Sequence, residues 1–155
     1  MKQNDVESLE VTTYTEPLSV GYFFKGFIAR YISNNEISTC MGIVCCELAS
    51  NIIKYGNQGT ITCKLGFADG KWDIEITAQD TGSGIDNIEY ALKDGFSDKG
   101  PIITDDGNNH HTGLGTGLPA IKRFMDEIEI KSRKNQGTII TARKKIGNRG
   151  EYRGP

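Results

Sequence analysis

The stretch that decides the fold runs from Glu47 to Gly84, ELASNIIKYGNQGTITCKLGFADGKWDIEITAQDTGSG, because its hydrophobic period changes partway along. It opens inside a helix predicted over Glu36–Tyr55, where Ile37, Cys40, Met41, Val44, Leu48 and Ile52 recur every three or four positions. Gly56 stops that helix. The period then becomes two: Ile61, Cys63, Leu65 and Phe67 alternate with polar or small residues. Asp69-Gly70 is a hairpin-turn signal, and Trp72, Ile74, Ile76 and Ala78 alternate after it. A helix therefore feeds an antiparallel pair, and the second strand ends in Asp80-Thr81-Gly82-Ser83-Gly84.

Upstream, residues 6–14 read as a strand. Leu18 to Ile32, after Glu16-Pro17, reads as a helix carrying Leu18, Tyr22, Ile28 and Ile32, broken by Ser33-Asn34-Asn35. Downstream, Asp80 to about Gly117 is rich in Gly, Asp and Asn, with one short helical piece near Ile85–Leu92. So long an irregular stretch in a compact domain is functional or disordered. Leu118–Glu127 reads as a helix and Ile128–Arg133 as a strand. Thr138–Lys144 is that strand's hairpin partner across Asn135-Gln136-Gly137. The expected fold class is α+β: a two-layer α/β sandwich with a mixed, mostly antiparallel sheet and helices on one face. The other face stays open to solvent or a partner. Residues 1–146 are expected to form one domain with a lid at about 85–117, and 147–155 a polar, flexible tail.

A chain of 155 residues suits one domain with a proper core. Hydrophobic residues at 37% and charged residues at 25% fit a globular protein. A net charge of −2 supplies no broad basic field for nucleic acid or an anionic membrane, so neither is an expected partner. No apolar leader core follows Met1-Lys2-Gln3-Asn4-Asp5, and no segment is expected to span a membrane. Cys40, Cys45, Cys46 and Cys63 form no Cys-x-x-Cys pair and no zinc spacing with histidine; they read as small packing residues in a reducing, cytoplasmic setting.

Three clusters carry chemistry. Within the strongest helix, Glu47 and Asn51 are four residues apart and Asn51 and Lys54 three, so their side chains share one face. A carboxylate, an amide oxygen and an ammonium could serve as general base, hard-metal ligand and phosphate contact, or form a plain solvated stripe. In Asp80-Thr81-Gly82-Ser83-Gly84, Gly82 and Gly84 let backbone approach a flat ligand, and Asp80 can accept a hydrogen bond from an exocyclic amine such as adenine's. Alone, that pattern is as often a turn. Gly113-Leu114-Gly115-Thr116-Gly117-Leu118 opens a helix, where free N–H groups suit phosphate oxygens or where a lid hinges. The P-loop and dinucleotide fingerprints are absent, as is the His-Arg-Asp loop of eukaryotic-type kinases.

Taken in order, Glu-x-x-x-Asn, Asp-x-Gly-x-Gly, Gly-x-Gly-x-Gly and Gly137-Thr138 resemble the GHKL ATPase/kinase superfamily (Bergerat fold) over roughly residues 40–145. Within it the chain resembles the small bacterial anti-sigma-factor serine kinases, in particular the stressosome switch kinases (RsbT type). Glu47–Ile52, Asp94-Gly95-Phe96-Ser97, Gly113–Pro119 and Lys122–Glu127 carry that likeness. The resemblance implies ATP and Mg²⁺ as cofactors, with Glu47 as general base and Asn51 ligating the metal. It implies that Asp80 holds the adenine amino group with water-mediated support from Thr138, and that Gly82 and Gly84 flank the base. Gly113, Leu114, Gly115, Thr116, Gly117 and Leu118 would line the phosphates, with Lys54 a further phosphate contact. Arg123 would face the nucleotide or a partner.

The segment 98–112 is longer than the lid of such proteins: an extended lid, a partner-binding element or a disordered insertion. Within it Asp105, Asp106, His110 and His111 suggest a metal site but suit a solvated loop better. Clamp ATPases of the superfamily use a following transducer domain and histidine kinases a helical phosphoacceptor domain; neither is expected within 155 residues. The resemblance therefore implies a serine/threonine protein kinase acting in trans on a STAS-domain antagonist in a partner-switching pathway. The alternative is a binding module, a non-catalytic anti-sigma factor or a phosphatase activator, with a sigma factor or phosphatase as partner. Oligomeric state stays open.

Overall fold

The computed structural model describes residues 3–92, 96–97, 100–101 and 117–147. Gly113, Leu114, Gly115 and Thr116, the Asp94-Gly95 pair, the lid residues Asp105, Asp106, His110 and His111, and the tail 148–155 lie outside them.

The Asp69-Gly70 turn sets the register. Strands β2 (Gly59–Ala68) and β3 (Lys71–Asp80) pair with Ala68 opposite Lys71, leaving a two-residue loop. Asp69 and Gly70 both take positive φ, 55° and 75°, the turn geometry that matches the twist of flanking strands. That register puts Ile61, Cys63 and Leu65 of β2 on one face with Trp72, Ile74, Ile76 and Ala78 of β3, all buried. Strand β1 (Gln3–Val11) pairs with the outer edge of β2. Beyond β3 lies β7 (Gly137–Gly147), and beyond that β6 (Glu127–Arg133). The order is β1-β2-β3-β7-β6, and every neighbouring pair is antiparallel. The sheet thus resolves the mixed, mostly antiparallel expectation into a fully antiparallel one. Two short strands, β4 (Phe96–Ser97) and β5 (Gly100–Pro101), pair separately.

Helices cover the apolar face. Helix α1 (Pro17–Ala29) starts with proline at its first turn and Glu16 as cap. Helix α2 (Asn35–Asn51) starts at Asn34, whose Oδ1 accepts the N–H groups of Glu36 at 2.9 Å and Ile37 at 3.2 Å. Its buried Met41, Val44, Cys45, Leu48 and Ala49 meet the sheet's inner residues in one core. Each large apolar side chain removed from water there contributes about 1.5–3 kcal/mol. A short helix, α3 (Ile88–Ala91), follows the loop after β3, and α4 (Gly117–Phe124) packs against α2. The open sheet face carries charge, with Glu75 pairing Arg143 at 2.9 Å and Lys64 at 3.9 Å. Such exposed pairs add little stability.

Several boundaries differ from expectation: α4 ends at Phe124 instead of Glu127, because Glu127 already pairs with Arg143 in β6, and β1 and β7 each extend three residues further, to Gln3 and Gly147. Strand β1 ends at Val11, and Tyr14, expected within it, is 97% exposed in a turn closed by Thr15 N–H on the Thr12 carbonyl. Helix α1 ends three residues early, at Ala29. Helix α2 is α-helical only to Asn51; Ile52–Gly56 widens into a π-turn. The combined helix Asn35–Gly56 spans 22 residues with hydropathy 1.3, which is long and apolar enough to cross a membrane, contrary to the sequence reading. Half of that apolar window is buried inside the fold, as expected of a core helix.

Helices α1 and α2 cross at Gly21 and Gly42. A Cβ on Gly42 would lie 2.9 Å from the Gly21 carbonyl oxygen, and one on Gly21 2.7 Å from that of Gly42. Gly26, on the same helix, would meet nothing within 4 Å. Gly42→Ala is expected to cost about 1–3 kcal/mol by forcing the helices apart. Gly26→Ala is expected to stabilise by about 0.5–1 kcal/mol through helix propensity. Thermal melts of the two variants should therefore move in opposite directions; equal shifts would contradict the close crossing.

Candidate functional site

Asp80, the last residue of β3, fastens three segments together. Its Oδ1 accepts the Gly82 N–H at 2.9 Å, which turns the chain after the strand. The same oxygen accepts the Thr138 N–H at 3.2 Å, which ties the turn to the start of β7. Gly82 is buried: a Cβ there would strike the Tyr55 carbonyl and lie 2.6 Å from the Gly56 Cα. A Cβ on Gly56 would in turn lie 2.6 Å from that of Asp80. Gly137, at φ 83°, backs onto the Asp80 carbonyl, and Gly84, at φ 80°, backs onto that of Arg133. The π-turn, the loop after β3 and the β6–β7 hairpin thus meet backbone to backbone. Two further bonds close the junction: Thr81 N–H to the Gln58 carbonyl at 3.4 Å and Asn135 N–H to that of Ser83 at 2.7 Å.

Asp80 Oδ2 has no hydrogen-bond partner among the described residues. Buried Thr138 places Oγ1 2.8 Å from Ser132 Oγ on β6, which also accepts the Ile85 N–H at 2.7 Å. No sequence motif marks Ser132. A serine in a strand, outside any motif, gives no signal until the hairpin register is known.

The second group sits on α2. Glu47 is buried, and burial pushes its carboxyl above the ordinary 4.5, while the Lys54 ammonium pulls it part of the way back. Both line a cleft of about 940 Å³ between α1 and α2, whose walls include Glu16, Tyr22, Lys25 and Ser50. Asn51, half-buried, is the last α-helical residue before the π-turn that delivers Gly56 to Asp80. The single continuous α-helical face expected for Glu47, Asn51 and Lys54 is therefore interrupted after Asn51, although Lys54 still acts on Glu47. Gly117 and buried Leu118 begin α4, which packs against α2, and Arg123 lies exposed in its last turn.

The thiols are held in the protonated form: burial raises Cys45 strongly and pushes Cys63 up to about 12, and desolvation raises Cys40 and Cys46 too. No trio of His, Cys, Asp or Glu among the described residues is arranged to hold a metal. The described residues therefore offer hydrogen-bond acceptors at the Asp80 junction, an amide oxygen at Asn51 and, at Glu47, a carboxylate that burial makes more basic than a solvated one.

The Glu47 shift can be read by NMR titration of its side-chain carboxyl. Its midpoint should lie above 4.5, and Lys54→Met should raise it further by removing the opposing attraction; a fall would contradict the geometry. The sign for stability follows. A folded-state pKa raised above the unfolded value favours the protonated fold, and that contribution is lost as pH rises through the folded midpoint. Glu47→Gln should therefore gain stability over the wild type as pH increases across that window.

The family model for the histidine kinase-like ATPase domain matches residues 19–144. A serine/threonine-protein kinase RsbT of Bacillus subtilis (strain 168) is 40% identical over 96 residues, 62% of this chain and 63% of that protein. An anti-sigma F factor of Thermoanaerobacter sp. (strain X514) is 31% identical over 66% of each chain. One from Clostridium perfringens (strain SM101 / Type A) is 35% identical over 79% of this chain and 82% of its own length. The chain spans just under two thirds of the first two of these relatives. The α-helical layer on an antiparallel sheet, the Asp80 junction and the match over most of the sequence agree: this chain belongs to the histidine kinase-like ATPase domain family.

Proposed function

We propose that the chain is a Mg-ATP-dependent serine/threonine protein kinase of a bacterial partner-switching pathway, acting in the cytoplasm on a STAS-domain antagonist of sigma-factor control. The observation that carries this reading is the buried Glu47 carboxyl, made more basic by that burial, one helical turn before Asn51. The kinase name of the Bacillus subtilis relative supports it.

The residues present fit the nucleotide and its metal. Asp80 Oδ2, with no partner among the described residues, suits the amine of adenine, and the Cβ-free backbone of Gly82 leaves the adjoining turn tightly packed beneath it. Asn51 offers a neutral amide oxygen, a hard ligand of the kind Mg²⁺ takes together with water. Lys54 supplies a positive charge for phosphate, and Gly117 and Leu118 form the N-terminal turn of α4. When bound, the metal neutralises charge on the phosphate oxygens.

Glu47 then takes the proton from the acceptor serine or threonine hydroxyl. That oxygen forms a bond to the γ-phosphorus, the bond from γ-phosphorus to the bridging oxygen breaks, and ADP leaves with the electron pair. Phosphoryl transfer of this kind depends mainly on positioning and charge neutralisation, which is what this arrangement provides.

A second reading is favoured by the relatives named anti-sigma F factors: a module that binds a sigma factor or a phosphatase, with ATP setting affinity only. Incubation with labelled Mg-ATP and a STAS-domain antagonist protein separates the two. Phosphate on a partner serine or threonine is expected; ATP binding with no labelled partner would favour the binding module. Glu47→Gln should reduce transfer about 10²–10⁴-fold with ATP affinity near wild type. Unchanged transfer would remove Glu47 from the base role. Asn51→Ala should abolish the gain in ATP affinity that Mg²⁺ gives; an unaltered magnesium dependence would count against Asn51 as ligand.

A further inference from the structure

Four of the six exposed large apolar side chains among the described residues, Tyr14, Leu18, Tyr22 and Phe23, fall within ten positions at the start of α1. Apolar surface gathered on one element in this way marks a contact site for another molecule. Leu18 and Tyr22, 60% and 71% exposed, belong to the cleft between α1 and α2. Leu18, Tyr22 and Lys25 stand at i, i+4 and i+7 on one face of α1. Across the cleft, Ile43, Glu47 and Ser50 stand at the same spacing on α2.

The walls are fixed before anything binds, because Gly21 and Gly42, which also line the cleft, hold the two helices at contact distance. A volume of about 940 Å³ lies at the top of the range for small-molecule pockets. The exposed apolar surface also continues past it to Tyr14, so the occupant is larger than a small molecule: a segment of another protein. Charge narrows its chemistry. The Glu16 carboxylate caps α1 and Lys54 offsets Glu47, whereas Lys25 makes no ion pair among the described residues. An apolar wall beside an uncommitted ammonium is complementary to an apolar side chain with an acidic neighbour. Glu47 adds the last requirement, since a hydroxyl that it deprotonates has to come within hydrogen-bond reach of it, inside this cleft.

We infer that the α1–α2 cleft docks the phosphoacceptor protein, seating an apolar side chain next to its serine or threonine against Leu18 and Tyr22 and pairing an acidic neighbour with Lys25. The inference rests on the kinase reading proposed above, with Glu47 as base. It gives α1 the recognition of the acceptor and α2 the proton transfer, so the two separate in kinetics.

The experiment is calorimetric binding of a STAS-domain antagonist protein to the full chain loaded with a magnesium-bound, non-hydrolysable ATP analogue, alongside steady-state transfer from Mg-ATP. Tyr22→Ser and Lys25→Glu should each weaken acceptor binding about tenfold and raise its KM to match, with kcat and ATP affinity near wild type. Lys25→Glu should also flatten the salt dependence of binding, and Lys25→Arg should retain it. Val6→Ser, which removes an exposed apolar side chain opposite Lys64 on β2, should leave acceptor binding unchanged. Wild-type acceptor affinity in both α1 variants, or equal weakening by Val6→Ser, would overturn the proposal. So would a Tyr22→Ser chain whose own oligomeric state changes in sedimentation, because the patch would then be a contact between copies of this chain. Binding that follows the stated pattern without any transfer would keep the docking site and sink the kinase reading. Transfer at wild-type KM in both α1 variants would keep the kinase and sink the docking site. A wild type that neither binds nor phosphorylates the antagonist would sink both.

Discussion

One carboxylate oxygen, Asp80 Oδ1, holds three segments of this molecule together at the end of β3. By taking the N–H groups of both Gly82 and Thr138 it binds the chain leaving β3 to the chain entering β7. A carboxylate accepting backbone N–H bonds makes hydrogen bonds stronger than neutral ones. The glycines around it follow from that constraint. Segments this close leave no room for a Cβ at Gly56, Gly82 or Gly137, and each would collide with main chain or with Asp80 itself. The two hydrogen bonds use Oδ1 alone, and Oδ2 has no hydrogen-bond partner among the described residues.

The same constraint explains why α2 does not end as a regular helix. Its apolar residues are locked in the core from Met41 to Ile52, which fixes the rotation of the helix, and its C-terminal turn must still reach the Asp80 loop. The π-turn at Ile52–Gly56 widens the backbone at that point, and single π-turns of this kind commonly mark functional positions. The helix thus joins two chemistries: a buried carboxylate, Glu47, facing the cleft with α1, and a backbone junction at the end of β3. Core packing, through α2, keeps Glu47 and the Asp80 junction in fixed relation.

Much of this was legible in the residues. Alternation over Ile61–Phe67 and Trp72–Ala78 around Asp69-Gly70 gave the central hairpin with its inward faces, and the core stripe of α2 was plain from Ile37 to Ile52. What was not legible has physical causes. Tyr14 has strand propensity but is solvated, so propensity alone placed the end of β1 three residues too late. Ile52–Gly56 continues an α-like spacing, and only its contact with Asp80 shows that the turn must open. The hydropathy of Asn35–Gly56 looks like a membrane span once the helix is seen whole, because a core helix and a spanning one share composition. At the site, Asp80 and Thr138 were named from motifs and meet in space, whereas Ser132 carries no motif and becomes visible only through hairpin register. Glu47 and Lys54 were expected to lie together and do share the cleft, whereas Asn51, the last residue of α2, is not among the residues that line it.

The account stands on the Asp80 junction being where a nucleotide base is received. The most direct measurement is a two-dimensional amide NMR titration of isotope-labelled protein with a magnesium-bound, non-hydrolysable ATP analogue. Perturbations centred on the Gly82 and Thr138 amides, extending to Asn51 along the π-turn, are the result this account predicts. A bound analogue that leaves those amides unmoved, or shifts confined to the charged open face of the sheet around Glu75 and Arg143, would contradict it.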